Sequence, residues 1–367
     1  MKVMTVFGTR PEIIRLSQVI KHLDQFCEQV LVHTGQNYDP RLSDIFFDEL
    51  DLRQPDVHLG VQAQSFAEQV GQILARAGEV MAQVRPDRLL VLGDTNSALA
   101  AIIAARMGIP VYHMEAGNRC YDNRVPEEIN RRIVDHSSNV LMPYTHRSKE
   151  NLIREGIERQ RIFVTGNPIH EVLNAYAVQI ERSDVLARLN VTAGAYFLVS
   201  IHRAENVDAP ARLEQLLRGL SLVADTYKQP MVVSLHPRTA DKLAKFGLDP
   251  QSERVRLLKP LGFFDFVKLE REAHCVLTDS GTVQEECCVF KVPNVTIRDV
   301  TERAETIEIG SNILTGAEPE MMLQSVKVAL GSPNQWAPPA EYLEPHVSST
   351  IAKIVLGYHH QHAAHLA

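Results

Sequence analysis

The feature that most limits what this chain can fold into is an alternation. Short runs rich in Val, Ile and Leu are separated by longer segments of helical period, from one end of the chain to the other. A strand that is apolar along its whole length must be covered on both faces, and crossover helices provide that cover, so the sheet is expected to be parallel. In the first half the pattern predicts strands at 2–7, 29–34, 88–92, 110–114, 140–143 and 162–165, with helices between them. The alternation restarts after Gly166, with strands predicted at 196–201, 231–235, 255–258, 275–277 and 294–297. Pro11 fits the first turn of a helix whose apolar face carries Ile13, Ile14, Val19 and Ile20. The small apolar segment 98–107 reads as a helix packed closely on a sheet and ended by Gly108.

A chain of 367 residues exceeds what one hydrophobic core usually supports. Two doubly wound α/β domains are therefore expected, 1–168 and 169–345, divided at the turn Gly166, Asn167, Pro168. Such domains bind ligands at the carboxyl ends of their strands, so a cleft between them is the expected site. The formal charge of −7 argues against a general nucleic-acid binder. Five cysteines, including the adjacent Cys287 and Cys288 and no Cys-x-x-Cys, suggest neither a disulfide framework nor a zinc ribbon; reduced thiols in the cytoplasm fit better. The first residues read as a strand rather than a signal peptide, and no apolar run approaches the roughly 18 residues of a membrane span. No membrane association is expected.

Polar groups recur where predicted strands end. Gly8, Thr9, Arg10, Pro11 and Glu12 follow the first strand, where a helix N-terminus could offer N–H groups to an anion and Arg10 a charged fork; a plain βα turn with a surface Arg reads equally well. Asp94, in Gly93-Asp94-Thr95-Asn96, is either a carboxylate delivered to the sheet edge or a helix N-cap. Glu115 ends a strand, and Glu127 and Glu128 open a helix behind Pro126, with Arg131 four residues beyond Glu127 on the same face. Glu127 could simply complement the helix dipole. Three acidic positions after strands of one half nevertheless match the demands of paired acid/base chemistry. In the second half His202-Arg203 and His236-Pro237-Arg238 each follow an apolar strand, as an anion-facing wall would. Ser280 and Gly281 would present a hydroxyl and N–H groups to a phosphate, with Glu286 for ribose hydroxyls and Arg298 and Arg303 beyond the next strand. A nucleoside diphosphate fits that layout.

In order and spacing over nearly the whole chain, GTRPEII, GDTNS, HMEAGNR, VPEEINR, SIHRAEN, TDSGTVQEE and RDVTERAE resemble the non-hydrolysing UDP-N-acetylglucosamine 2-epimerase family. The resemblance implies a glycosyltransferase-B architecture, two Rossmann-like domains around a deep cleft, with a C-terminal helix within 346–367 returning to the first domain. It implies a homodimer acting on a UDP-sugar in polysaccharide and cell-envelope biosynthesis, with no metal and no nicotinamide cofactor. By that resemblance Asp94, Glu115 and Glu127 are the acid/base carboxylates, Arg131 their partner and His202 a stabiliser of the departing diphosphate. Arg10, His236, Ser280, Gly281, Glu286 and Arg303 would then hold UDP. The hydrogen on C2 is not acidic, and no Gly-x-Gly-x-x-Gly follows a strand, which disfavours a dinucleotide-assisted oxidation. The family route is anti elimination of UDP to a bound 2-acetamidoglucal, then re-addition with protonation of the opposite C2 face.

The chain departs from the family pattern at Arg15 (usually Lys), Gln36 and Asn37 (usually Gln-His), Thr282 (usually Gly) and Ala304, and in the short stretch between Glu115 and Glu127. GQNYD, MEAGNRCYD and RVPEEINR are more similar to relatives that epimerise UDP-2,3-diacetamido-glucuronic acid or serve UDP-N-acetylfucosamine synthesis. Activation by substrate is not expected, because Asn37 lies where the family's activation site would be. A glycosyltransferase of the same architecture would need an acceptor and no acidic trio, and a hydrolysing epimerase would release free sugar.

Overall fold

A computed structural model describes residues 1–35, 40–63 and 65–358, with 40–44 described by backbone only. Gln36, Asn37 and the last nine residues of the expected C-terminal helix lie outside the described residues. The chain divides into two units, Met1–Ala175 with Ala340–Ala367, and Tyr176–Pro339.

In the first unit the chain runs through β1 (Lys2–Phe7), α1 (Arg10–Leu23), β2 (Glu28–His33), α2 (Pro40–Glu49), β3 (Val57–His58), α3 (Phe66–Val84) and β4 (Arg88–Leu92). It continues through α4 (Ala100–Arg106), β5 (Val111–Met114), α5 (Pro126–Ser137), β6 (Val140–Met142), α6 (His146–Arg154) and α7 (Ile169–Ala175). The second unit holds α8 (Ala177–Arg182), α9 (Val185–Arg188), β7 (Phe197–Ile201), α10 (Ala204–Val207), α11 (Pro210–Tyr227), β8 (Met231–Leu235), α12 (Pro237–Phe246) and β9 (Val255–Leu258). After these come α13 (Phe263–Arg271), β10 (Cys275–Thr278), α14 (Gly281–Phe290), β11 (Asn294–Thr296), α15 (Ala304–Glu308), β12 (Asn312–Leu314) and α16 (Pro319–Gly331). The chain then rejoins the first unit as α17 (Val347–Gly357).

Both sheets are parallel and six-stranded, ordered β3-β2-β1-β4-β5-β6 and β12-β11-β10-β7-β8-β9. Numbered within its own unit each reads 3-2-1-4-5-6, the Rossmann order. The chain reverses direction across the sheet between β1 and β4 in the first unit and between β7 and β10 in the second. At such switch points the loops splay apart and leave a crevice, the usual place for a ligand in open α/β sheets.

Strand burial explains the strong apolar signal: Val3, Met4, Val6, Phe7, Leu89, Leu90, Val91, Phe197, Leu198 and Val199 are all fully covered. Three predictions need correction. The segment 162–165 runs beside β6 and makes a single bridge, Leu141 with Ile162, rather than a strand. β3 and β12 were not predicted; with two and three residues they are too short to show a period. The helix predicted at 98–107 opens with a 3-10 turn, Asn96–Leu99, before α4 begins.

α17 belongs to the first unit for visible reasons. Val347, Ile351 and Val355 are fully buried, Ser348 Oγ donates to Glu171 at 2.6 Å, and Tyr112 Oη donates to Tyr358 O at 2.6 Å. Arg88, buried over the Tyr112 ring, donates to Val355 O and closes the helix end.

Candidate active site

In the first unit Asp94 lies two residues beyond β4 and Glu115 directly beyond β5, on neighbouring strands. Glu115 adopts φ 61°, a left-handed conformation that costs a non-glycine residue on the order of 1 kcal/mol or more. The turn sets its Oε2 3.8 Å from where a Cβ on Gly93 would sit. Arg15 Nη1 donates to that oxygen at 3.0 Å and Asn118 Nδ2 to the other at 3.1 Å. Arg15 is only 1% exposed and lies over the Tyr144 ring. Asp94 is no helix cap, since Thr95 takes the N-cap position; it accepts instead from Arg131 Nε at 2.8 Å. Each carboxylate is thus held by a buried arginine from a different helix.

Glu127 stands half-buried in the first turn of α5. On its own helix Arg131 donates to Glu128 at 2.6 Å, a residue the sequence reading left out of the site. Glu128 is fully buried and also accepts from the Cys120 and Tyr121 N–H groups at 3.0 and 3.1 Å. Burial opposes its ionisation, but the Cys120 N–H and the Arg131 charge outweigh burial and hold it below the usual carboxylate range. Arg131 therefore links Asp94 to the loop that leads into α5.

Of the N–H groups in the turn from Gly8 to Glu12, read as either an anion seat or a plain βα turn, those of Gly8 and Thr9 are already taken. Both N–H groups donate to Glu12 Oε2, at 3.0 and 2.8 Å, and Thr95 Oγ1 donates to Oε1 at 2.9 Å across the β1/β4 switch point. An internal carboxyl fills the place of a ligand. Burial dominates these donors and lifts Glu12 to about 7. Arg10 lies 5.7 Å over the Phe46 ring, has no carboxylate partner among the described residues, and has its pKa lowered by burial. A guanidinium so placed is available to an anion.

In the second unit His202 directly follows β7 and Asp279 directly follows β10, so their contact spans the β7/β10 switch point. Asp279 accepts from the His202 N–H at 3.0 Å and the Arg203 N–H at 3.0 Å, and lies 3.2 Å from His202 Nδ1. His236 packs 5.7 Å from His202, ring to ring. Its Nδ1 accepts the Arg238 N–H at 3.2 Å, which puts its proton on Nε2. The arginines of the two His-Arg motifs do not form the expected wall: Arg238 pairs with Asp208 at the surface, and Arg203 lies 3.6 Å from Glu302.

Ser280 occupies the N-cap of α14, but its hydroxyl pairs with Thr282 Oγ1 at 2.8 Å and its N–H donates to Thr278 Oγ1 at 3.0 Å. Gly281 opens the helix, and a Cβ there would meet Glu302 Oε1 at 2.7 Å and the Arg303 guanidinium carbon at 3.5 Å. Arg303 is thereby brought to the start of α14, where the first N–H groups lack intrahelical acceptors. It also donates through Nε to Glu285. Glu286, 6% exposed, sits in the middle of α14 rather than at its start.

The sequence reading gave no role in the site to Glu12, Arg15, Glu128, His113, Asp135 and Asp279. The first two carried a signal: 12, 15, 16, 19, 20 and 23 are the core-facing series of α1, so a Glu and an Arg were written where apolar residues belong. Asp135 is fully buried, bonds His113 Nδ1 at 2.9 Å and Arg119 at 2.8 Å, and fixes the loop that carries Glu115 through the Gly117 N–H. Burial works against its charge, yet His113 and Arg119 prevail and keep it below the usual range.

Two doubly wound sheets, acidic groups at the strand ends of one and a His- and Arg-lined helix start in the other, define an α/β protein of the glycosyltransferase-B class. A glycosyltransferase involved in lipopolysaccharide biosynthesis, WaaG, shares that fold at TM-score 0.60 and 11% identity, over 98% of this chain and all of its own. The model of the UDP-N-acetylglucosamine 2-epimerase family matches residues 21–356, and the chain belongs to that family. Its isomerase relatives include a Methanocaldococcus jannaschii UDP-GlcNAc 2-epimerase solved with UDP-GlcNAc and UDP, similar at TM-score 0.93 and 39% identity over 97% of this chain and 99% of that one. A Pseudomonas aeruginosa UDP-2,3-diacetamido-2,3-dideoxy-D-glucuronate 2-epimerase is 36% identical over 90% of this chain and 93% of its own length.

Proposed function

We propose that the protein interconverts UDP-N-acetylglucosamine and UDP-N-acetylmannosamine by eliminating and re-adding UDP. The observation that carries this reading is the pair Asp94 and Glu115 on adjacent strand ends, each oriented by a buried arginine. In the forward direction a first-unit carboxylate takes the C2 proton, the C1–O bond breaks, and its electron pair leaves with UDP, giving the 2-acetamidoglucal. In the return a second acid delivers a proton to the opposite face of C2, and the UDP oxygen re-forms the bond at C1. Asp94, Glu115 and Glu127 share these proton transfers, and Arg131 keeps Asp94 in place. His202, oriented by Asp279, stabilises the departing diphosphate. Arg10, His236, Ser280, Gly281, Glu286 and Arg303 hold UDP.

A second substrate reading, UDP-2,3-diacetamido-glucuronic acid or a step toward UDP-N-acetylfucosamine, is favoured by the Pseudomonas relative and by the motifs around Tyr121 and Glu128. The family also supports a homodimer working in the cytoplasm for cell-envelope polysaccharide, and the free thiols of Cys27, Cys120, Cys275, Cys287 and Cys288 suit a reducing compartment. Incubation with UDP-N-acetylglucosamine in D₂O, followed by NMR, tests the function. Deuterium at C2 of a UDP-linked manno product is expected. Free sugar indicates a hydrolysing enzyme, and absence of exchange with both this substrate and the diacetamido uronic acid analogue removes the epimerase reading.

A further inference from the structure

Behind Glu286 lies a second glutamate that no step above uses. Glu270, on α13, is fully buried. Its Oε1 accepts the Cys287 thiol at 3.2 Å, while its Oε2 is buried and meets no hydrogen-bond donor. Besides the Cys287 thiol, the polar group within hydrogen-bonding reach of Glu270 is the carboxyl of Glu286. A buried carboxylate oxygen without a donor is costly, whereas a carboxylic acid there becomes the donor and satisfies both groups with one shared proton. Burial first, and then the Glu286 charge, push Glu270 well above the usual carboxylate range.

We propose that Glu270 is a positioning residue for nucleotide binding: it keeps its proton and donates it to Glu286, fixing Glu286 as the acceptor for the ribose hydroxyls. This rests on the reading of Glu286 as a UDP ligand. The titratable groups facing the pair are Glu286 and Cys287 on α14, with Cys275 on β10 beside Cys287. On the other elements packed against α13, Glu181 of α8 pairs with Lys268 and Arg271, and Arg188 of α9 with Asp265. Those charges are already matched. Tyr196, just before β7, donates to Leu269 O. The arrangement gives the helix an acceptor of fixed direction, with a single negative charge spread over two carboxyl groups.

Calorimetric titrations with UDP and with 2′,3′-dideoxy-UDP, which lacks the ribose hydroxyls, test the inference on the full chain. Glu270→Met removes the donor and is expected to weaken UDP about tenfold while leaving the dideoxy analogue unchanged. Glu270→Gln, which can still donate to Glu286, is expected to restore UDP affinity. Infrared spectra near neutral pH should show a buried carboxylic-acid C=O band that is lost in Glu270→Gln. Equal loss for both nucleotides in Glu270→Met, no loss for either, failure of the Gln variant to restore affinity, or no acid band in the unsubstituted protein overturns the proposal. Glu286→Gln separates the two levels: if it binds UDP normally, the assignment of Glu286 to ribose fails first.

Discussion

At Glu12, donors from Gly8, Thr9 and Thr95 favour the carboxylate, yet burial outweighs them and lifts the acid to about 7 from an unfolded value of 4.5. The folded state binds this proton more tightly than the unfolded chain. Its contribution is therefore fully present below about pH 4.5 and is lost as pH rises toward about 7, by on the order of 3 kcal/mol. Urea denaturation at about pH 5 and about pH 8 checks this: the protein should lose stability between them relative to Glu12→Gln, and equal slopes would contradict it. For Glu115→Gln the expected outcome is a fall in kcat of roughly 10²–10⁴ with UDP affinity nearly intact, read by steady-state kinetics and calorimetry. Near-normal turnover would take Glu115 out of the mechanism. Asp94 and Glu115 were legible because a carboxylate after an apolar strand has few places to go. Glu128 was not, because two adjacent glutamates in one helical turn look alike until burial selects one.

The loop from Glu115 to Pro126 shows how an element carries a site. Gly117 adopts φ 81°, and a Cβ there would collide with the Ser148 carbonyl oxygen. Its N–H donates to Asp135 and its carbonyl accepts from Asn151, so the loop is pinned between α5 and α6. Gly117→Ala should cost roughly 3 kcal/mol or more, because the obstacle is backbone and the conformation is left-handed. Thermal unfolding would show it, and an unchanged midpoint would refute the packing argument. Strands that are apolar along their whole length could be read from the sequence almost to the residue, whereas most helices were placed only as the segments between them. β3, β12 and the bridge at Ile162 could not be read, because pairing to a neighbouring strand defines them more than their own letters do.

Across the whole chain the same strand order appears twice, and each switch point joins its two loops by a carboxyl: Glu12 to Thr95 in one unit, Asp279 to His202 in the other. The alternation of apolar runs revealed two such units. It could not reveal which carboxyls turn inward to hold loops, since that depends on contacts between distant segments. α17 packs within the first unit, so removing the chain after Glu344 should raise amide exchange in α1, β4 and β5 and leave β7 to β11 unchanged. A uniform rise would show that the helix serves both. Epimerisation by elimination requires cleavage of the bond between C1 and the diphosphate. The most direct measurement uses UDP-N-acetylglucosamine with oxygen-18 in that bridge and follows its position by phosphorus NMR during epimerisation. Movement of the label into non-bridging positions of the diphosphate is the predicted result; epimerised product with the label still confined to the bridge would contradict elimination and the roles assigned here.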